Sequence, residues 1–332
     1  MAITAADVNK LRQMTGSGMM DCKNALVEAN GDFDQAIDIL RKKGQKVAAK
    51  RADRSATEGY VLAQTNADNT FGVVLMLNCE TDFVGKTADF INCAKAISDF
   101  AIANKITDLQ KLKESQLNGM SIEALLTEMT GKTGEKVELN QFEVIEKPFV
   151  ASYNHNGNRL ATLVGFNKKV NNLEVVGHDI AMQVAAMNPI AVDENGVKKE
   201  VVEHELEISK EKTIQEQIQK AIEAALRKEG INPAHVDSDA HIDSNMAKGW
   251  ITEEQAAKAR EIKVKVAEEK ANNIPAEMVE KIAKGRLNKF FQENTLVHQD
   301  FIKDNKKTIA QYMKETDATL VCECFYRLQL GE

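Results

Sequence analysis

The sequence predicts an α+β protein with antiparallel sheets and a long, charged helical arm. Apolar residues recur with helical spacing in the first 40 residues, and again among many charges between residues 196 and 285. Between these regions, pairs of strand-like runs separated by short polar turns occur twice. The chain has only 4 prolines in 332 residues, which also favours long helices.

The amino-terminal segment predicts three short helices that pack as a bundle. Thr4 and Asp7 have the spacing of a capping box, and the glycines of residues 16–18 separate the first helix from the second. The second helix is expected over about 19–29, and a third follows after Asn30-Gly31. Residues 41–54 hold seven Lys and Arg and are predicted to be a charged connector.

Two similar units follow, each with two strands, a loop and an alanine-rich helix. The expected strands and helix of the first unit are 59–63, 71–77 and 88–104, and those of the second are 149–153, 160–166 and 178–187. Another helix is predicted over 121–130, ending in a turn at 131–134, and another strand over 142–145. This repetition indicates two related α+β subdomains.

The remaining chain predicts the arm and a return to the second subdomain. Narrow apolar stripes with charged flanks are typical of antiparallel helices that bury a thin seam. The expected helices are 197–212, 213–229, 252–270 and 276–284, interrupted at 232–233 and 237–245. A short helix around Tyr312 and a strand over 319–330 would then rejoin the second sheet.

These elements divide the chain into five predicted segments. Residues 1–54 are expected to form the helical domain with its basic linker, 55–147 the first core subdomain and 148–195 the first part of the second. Residues 196–285 would form the arm, and 286–332 would complete the second subdomain.

Composition excludes several classes of protein. The net charge of −7 argues against nucleic-acid binding as the main activity, because such domains usually carry a basic excess. No apolar run approaches the length of about 18 residues that a membrane helix needs. Residues 1–7 lack the regions of a signal peptide, and the five cysteines are scattered as reduced thiols would be. We therefore expect a cytoplasmic protein.

Two patterns resemble ligand sites but lack residues that those sites require. Gly131-Lys132-Thr133 matches the end of a phosphate-binding loop, but Leu126 stands where the first glycine is needed. Residues 237–243 alternate acids as a calcium loop does, but Ile242 replaces the glycine of the sharp turn and Lys248 the final glutamate. We expect an ordinary turn in the first case and a solvated loop in the second.

Other chemistry is also unsupported by the sequence. Cys322 and Cys324 fall on one face of a strand, but no second cysteine pair completes a zinc site. Motifs for metal-dependent hydrolysis or a nucleophilic serine are missing. The sequence therefore predicts neither a cofactor nor catalytic side chains.

The most unusual stretch is Asn78-Cys79-Glu80-Thr81-Asp82-Phe83-Val84-Gly85, between a predicted strand and a predicted helix. Turns normally use small polar residues, whereas this one places a large ring directly after a carboxylate. The ring of Phe83 either folds back into a core or is displayed to something outside the chain. Asp82 lies too far upstream to cap the helix that begins near residue 88.

Two stretches of the chain closely resemble the signatures of the bacterial elongation factor Ts family. Residues 11–26 read LRQMTGSGMMDCKNAL, and residues 78–84 read NCETDFV. The resemblance continues through 178–189 and 285–290 in the same order. It implies a ubiquitin-associated-like helical domain, a two-part α+β core, and a coiled-coil arm inserted in the second subdomain.

The resemblance also implies a function and a set of site residues. The family promotes exchange of GDP for GTP on elongation factor Tu, by displacing Mg²⁺ and loosening the nucleotide site. Thr81, Asp82, Phe83 and Val84 match its exchange loop, in which the Asp-Phe pair is pushed into the partner near the magnesium site. The other implied partner contacts are Arg12, Met19, Met20 and Gln183. Because Met19 and Met20 are adjacent, at least one should be exposed on the helix.

Two features depart from the familiar members of the family. The arm is longer, and its Asp/His stretch has no counterpart from which a role could be taken. The sequence stops at Gly331-Glu332, shortly after the last predicted strand, so we expect no further carboxy-terminal helix and carry over no contact made by one.

Three alternatives remain open at this point. The chain could be an oligomerising scaffold without exchange activity, built on the arm. It could be an RNA-binding translation factor, which its acidic balance disfavours. An exchange factor could also form homodimers through the arm or the core. The expected partner is elongation factor Tu, in its GDP-bound and nucleotide-free forms, with no direct contact to nucleic acid or membrane.

Overall fold

The computed structural model describes residues 3–331, which form two compact units. Of the described residues, 3–192 and 300–331 make the first unit, and Asp193–Gln299 makes the second. The helices are α1 Ala5–Thr15, α2 Met19–Glu28, α3 Phe33–Arg51, α4 Asp82–Gly85, α5 Ala88–Ala103, α6 Leu109–Glu114, α7 Ile122–Thr133, α8 Leu173–Met187, α9 Lys199–Lys228, α10 Asp239–Ala247, α11 Glu253–Asn273, α12 Ala276–Asn294 and α13 Ile309–Thr316. The strands are β1 Glu58–Thr65, β2 Phe71–Cys79, β3 Gln116–Leu117, β4 Met120–Ser121, β5 Glu138–Glu146, β6 Phe149–Asn154, β7 Leu160–Phe166, β8 Asp300–Phe301, β9 Asp304–Thr308 and β10 Cys322–Gln329.

None of the helices within residues 3–331 combines the length and apolar character that crossing a membrane requires. The signal-peptide prediction rests partly on Met1 and Ala2, which lie outside the described residues.

Helices α1 to α3 form the predicted bundle around their own small core. The Thr4 and Asp7 capping box is confirmed: the Thr4 hydroxyl accepts from the Asp7 N–H, and the Asp7 carboxylate accepts from the Thr4 N–H. The predicted connector at 41–54 is wrong, because α3 continues as a helix to Arg51. Lys and Arg are good helix formers and are favoured at a helix carboxyl end, so this basic run prolongs the helix.

The first sheet has the order β1-β2-β5 and is antiparallel throughout. Its central strand, β2, is buried on both faces. The odd-numbered residues Phe71, Val73, Leu75 and Leu77 pack in a core shared with α5 and α7. The alternating residues Val74 and Met76 face the other way, as the period of two in a strand requires.

The second sheet has the order β10-β7-β6, so the predicted return of the last strand is confirmed. One buried cluster joins both sheets; it includes Val61, Val74, Ile145, Val150, Leu163 and Leu328. Helix α8 covers the outer face of the second sheet, where the Thr162 hydroxyl donates to the Ala181 carbonyl at 2.8 Å. The first unit therefore stacks helix, sheet, sheet and helix, a shared core that the two-subdomain interpretation did not include.

The second unit contains the arm helices, with α9 packed against both α11 and α12. The helices predicted at 197–212 and 213–229 are one helix, α9. Thr213 does not interrupt it, because its hydroxyl donates to the Ser209 carbonyl one turn earlier, at 2.7 Å. Helix α12 runs on to Asn294, so the predicted return to the core at residue 286 is too early.

The interruption predicted at 237–245, with a solvated loop over 237–243, is also wrong, since α10 occupies most of this stretch. Ser238 caps this helix by accepting a hydrogen bond from the His241 N–H at 3.2 Å. Ile242, which replaces the calcium-loop glycine, is buried in the core of the second unit. The acidic residues therefore alternate along a capped helix, where the apolar residue among them has a packing role.

Helices α3 and α7 approach each other through two glycines. A Cβ built on Gly131 would lie 2.6 Å from the Gly44 Cα, whereas a Cβ on Gly44 would lie at an ordinary 3.6 Å from the Gly131 Cα. Gly131 lies within α7, which continues to Thr133 before Gly134 ends it in a left-handed conformation. The predicted turn at 131–134 thus begins too early, and Gly131 serves helix packing.

This asymmetry predicts opposite effects for two matched substitutions. Gly44→Ala should raise the free energy of unfolding by up to about 1 kcal/mol, because alanine favours a helix and the space exists. Gly131→Ala should lower it by about 1–3 kcal/mol, because the two backbones must separate. Urea unfolding of both variants checks this, and equal changes of the same sign would contradict the close crossing.

Candidate functional site

The unusual stretch forms a single helical turn, α4, between β2 and α5. It was expected to be a loop, but the Gly85 N–H donates to the Thr81 carbonyl at 3.3 Å and the Lys86 N–H to the Asp82 carbonyl at 3.1 Å. The next helix, α5, is capped by Thr87, as expected if Asp82 is too far upstream to do so. We call Thr81–Gly85 the projecting turn.

The ring of Phe83 is displayed, with 82% of the residue exposed. It is the most exposed of the large apolar residues in the described part of the chain. The Asp82 carboxylate beside it accepts a hydrogen bond from Lys86 at 2.5 Å. This bond lowers the pKa of Asp82 below its ordinary value, so the carboxylate is ionised at neutral pH.

The two flanking residues of the predicted loop point the other way. Val84 is partly buried and packs against the core between the first sheet and its helices. Thr81 donates its hydroxyl to Glu135 Oε1 at 2.6 Å and its N–H to Glu135 Oε2 at 3.0 Å. Thr81 and Val84 therefore hold the turn, while Asp82 and Phe83 project from it.

A second carboxylate, that of Glu80, joins the same two segments, with the donor now on the segment that contains Glu135. Glu80 Oε1 accepts the Lys136 N–H at 2.7 Å, and the Glu80 carboxylate also binds the Arg51 guanidinium at 2.8 and 3.1 Å. Glu80 precedes the projecting turn, Lys136 follows Glu135 before β5, and Arg51 ends α3. The base of the turn is thus joined to α3 and to the segment between α7 and β5.

The floor of the projecting turn is closely packed. A Cβ on Gly85 would lie 3.1 Å from the Gly59 carbonyl oxygen and 3.4 Å from Cys79 Sγ. The Cys79 thiol donates to the Thr81 carbonyl at 3.0 Å. Burial, and then the negative charge of Glu135, raise the pKa of Cys79 to about 12, so this thiol stays protonated and inert.

The other predicted contact residues of the amino-terminal bundle are accessible. Arg12 is exposed, and Met19 and Met20 are both exposed, at 52% and 62%, which meets the expectation that at least one would be. The two methionines line an open groove of about 430 Å³ between α1 and α2, whose walls include Ile3 and Val8. Adaptable methionines at a groove suit a protein contact.

Gln183 is the exception among the predicted contacts, because its side chain is fully buried. Its amide donates to the Asp300 carbonyl at 3.1 Å and accepts from the Ile302 N–H at 2.9 Å. Helix α8 points this residue inward, so that it fastens β8 to the helix. The predicted partner contact through Gln183 is therefore not retained.

Other candidate sites from the sequence are not assembled. Within residues 3–331, no group of three or more His, Cys, Asp and Glu side chains is placed to share a metal ion. Asp237 pairs with His241 on α10, and Cys322 is buried beside a strand irregularity that separates it from Cys324.

Sequence reasoning missed Glu135, Glu80 and Arg51 as parts of the site. Glu135 lies 54 positions from Thr81, and no local pattern links a carboxylate after a helix to a turn that far away. Arg51 lies in the basic run at 41–54, for which the sequence predicts a connector and no site residue. Only the spatial meeting of α3, α7 and β2 reveals the three together.

Comparison with known proteins supports the resemblance noted in the sequence. A family model described as elongation factor TS matches residues 80–231 and 231–332. Relatives named elongation factor Ts include that of Bacteroides fragilis, 53% identical over 331 residues, with 99% of each chain covered. That of Christiangramia forsetii is 44% identical over 329 residues, with 99% of each covered, and that of Amoebophilus asiaticus is 41% identical over 332, with 100% covered. The chain therefore belongs to the elongation factor Ts family, a bacterial family of translation elongation factors.

Proposed function

We propose that this protein promotes the exchange of GDP for GTP on elongation factor Tu in the cytoplasm and so regenerates the active form of that partner. The observation that carries the proposal is the projecting turn, which displays Phe83 and an ionised Asp82 while its other residues are held by the core. Family membership supplies the partner, and the displayed pair supplies a means of acting on it.

The mechanism requires binding and no bond-making. A factor that binds nucleotide-free elongation factor Tu more tightly than the nucleotide-bound form must weaken nucleotide binding by the same factor. Each tenfold loss of nucleotide affinity requires about 1.4 kcal/mol of differential binding. Contacts that form fully only after the nucleotide site has been distorted provide such a difference.

Phe83 and Asp82 have separate roles in this proposal. The Phe83 ring inserts between elements of the partner near its magnesium site, because an exposed ring gains free energy by leaving water. Asp82 rearranges the polar groups around the partner's ion. Direct chelation by Asp82 is disfavoured, since Mg²⁺ is usually held by several oxygen ligands together.

The bundle supplies a second contact region. Arg12 is exposed on α1, and Met19 and Met20 line the groove beside it. Contacts in this region would bind both nucleotide states of the partner, so they would contribute affinity more than selectivity. Homodimerisation stays a prediction; the mass in solution, with and without elongation factor Tu, would test it.

The release of fluorescent GDP from elongation factor Tu tests the proposed function. We expect the release rate to rise with the concentration of this protein and to reach a plateau, as a ternary intermediate requires. No acceleration at any concentration would overturn the exchange proposal. An oligomer that binds elongation factor Tu without accelerating release would instead favour the scaffold alternative.

A further inference from the structure

We propose that Glu135 is a positioning residue, which holds the projecting turn in the form that presents Phe83 and Asp82. This inference rests on the proposed exchange function. It adds to the exchange site a residue that acts through the projecting turn and not by contact with the nucleotide or the magnesium ion. The observations that lead to it are the two crossed carboxylate contacts between Glu80-Thr81 and Glu135-Lys136.

The projecting turn cannot hold its shape through its own backbone. Helix α4 has four residues, and forming one isolated helical turn is unfavourable because few hydrogen bonds offset the lost freedom. Thr81 stands at its N-cap position, but its side chain makes no capping hydrogen bond. The hydroxyl is instead donated to Glu135.

Glu135 supplies the missing restraint from outside the turn. Both of its carboxylate oxygens bind Thr81, one through the hydroxyl and the other through the backbone N–H. Hydrogen bonds to an ionised acceptor are stronger than neutral ones, and two at once fix orientation as well as distance. The residue before Phe83 and Asp82 is thereby set in one conformation.

The contact is reciprocal, which makes the restraint two-sided. Glu80 accepts the N–H of Lys136, just as Glu135 accepts hydrogen bonds from Thr81. Each of the two segments, Glu80-Thr81 and Glu135-Lys136, thus contributes a carboxylate that binds the other segment. Glu80 is well buried, with 15% of its side chain exposed, and Arg51 of α3 neutralises it. Among residues 3–331, no Lys, Arg or His side chain forms an ion pair with Glu135, whose two carboxylate oxygens both accept hydrogen bonds from Thr81.

A held turn matters because ordering it at the moment of binding would cost free energy. If the turn were loose, part of the differential binding to the nucleotide-free partner would be spent on fixing it. Loss of Glu135 should therefore weaken exchange although Phe83 and Asp82 remain present. The loss of exchange rate should arise entirely from the loosened conformation of the projecting turn.

The experiment is a mutant cycle on GDP release, using the full chain and elongation factor Tu. Glu135→Ala should lower the maximal release rate about tenfold, which corresponds to about 1.4 kcal/mol, close to the net contribution of one hydrogen bond to a charged group. Phe83→Ala should also lower it, and adding Glu135→Ala to Phe83→Ala should cause little further loss. Glu138→Ala is the matched control, because Glu138 begins β5, three residues after Glu135, and its carboxylate binds the Lys136 ammonium at 3.0 Å.

A second measurement separates positioning from a general loss of structure. Hydrogen exchange of the peptide spanning 79–86 should become faster in Glu135→Ala, while peptides of β2 and α5 keep their protection. Glu135→Gln keeps the side-chain size and serves if the alanine variant does not fold. Its amide can still accept from the Thr81 N–H and donate to the Thr81 hydroxyl, but both hydrogen bonds lose the negative charge that strengthens them, so a smaller loss of rate than in Glu135→Ala is expected.

The outcomes are distinguishable from those for the function itself. If the parent protein does not accelerate release, the exchange function fails. If it does, and Glu135→Ala and Glu135→Gln behave as Glu138→Ala does, the positioning role alone is overturned. Fully multiplicative losses from Glu135→Ala and Phe83→Ala would also overturn it, because Glu135 would then act elsewhere.

Discussion

Replacing Phe83 with alanine is expected to lower the maximal rate of GDP release from elongation factor Tu roughly 30-fold, which corresponds to about 2 kcal/mol. Large aromatic anchors at the centre of interfaces commonly have truncation costs of this size. The free energy of unfolding should be unchanged, because the ring is 82% exposed and supports no core. Stopped-flow release of fluorescent GDP at saturating factor measures the effect.

Graded and matched variants sharpen this prediction. Phe83→Leu should retain part of the rate, since it keeps apolar bulk without the ring. Asp82→Ala should cause a smaller loss, and the Asp82→Ala and Phe83→Ala double variant at least as large a loss as Phe83→Ala alone. Asp89→Ala removes an exposed carboxylate from the first turn of α5 and serves as the charge control. A double variant with the parent rate would exclude the turn from the mechanism.

The largest expected effect on stability belongs to Gly59→Ala. Gly59 has φ of +148°, which L residues rarely adopt, and an added Cβ would lie 2.0 Å from the Leu77 carbonyl oxygen. That oxygen belongs to β2, so the clash cannot be relieved by turning a side chain. We expect the free energy of unfolding of the first unit to fall by about 3 kcal/mol or more.

Gly119→Ala is the matched control for this prediction. Gly119 also has positive φ, +83°, but no heavy atom lies within 4 Å of its added Cβ. Conformational strain alone should cost about 1–2 kcal/mol there. Urea denaturation followed by circular dichroism compares the two variants. Equal losses of unfolding free energy in the two variants would contradict the prediction, because the clash with the Leu77 carbonyl oxygen would then add nothing to the conformational strain.

The sequence predicted those parts of the fold whose causes are local. The hairpins of β1-β2 and β6-β7 follow from short apolar runs on either side of polar turns, and α5 and α8 from their apolar faces. The connector, the divided α9 and the loop at 237–245 were wrong because charge was interpreted as irregular structure. Lys, Arg and Glu are good helix formers, which explains α3 and α9, whereas the segment at 237–245 is helical because Ser238 caps it and Ile242 is buried.

The candidate site also has features that the sequence predicts and features that depend on contacts distant in the chain. The projecting turn was identified from its residues, since an acid followed by a ring is unusual in a turn. The direction in which each side chain points could not be predicted, because it depends on Glu135 and on the buried surface under Val84. Gln183 shows the opposite error: the resemblance implied a partner contact there, but the residue is buried and hydrogen-bonds to the backbone of Asp300 and Ile302.

The strand order of the second sheet also sets a sequence of events during synthesis on the ribosome. The first sheet is complete once Glu146 has emerged, whereas β7 pairs with β10 and aligns Leu160 with Gln329. The whole second unit is synthesised between these two partners. Contacts so distant in the chain form late, and amino-terminal parts fold first. Glu80 and Glu135 both precede the second unit in the chain. The projecting turn should therefore be assembled while the second sheet still lacks β10.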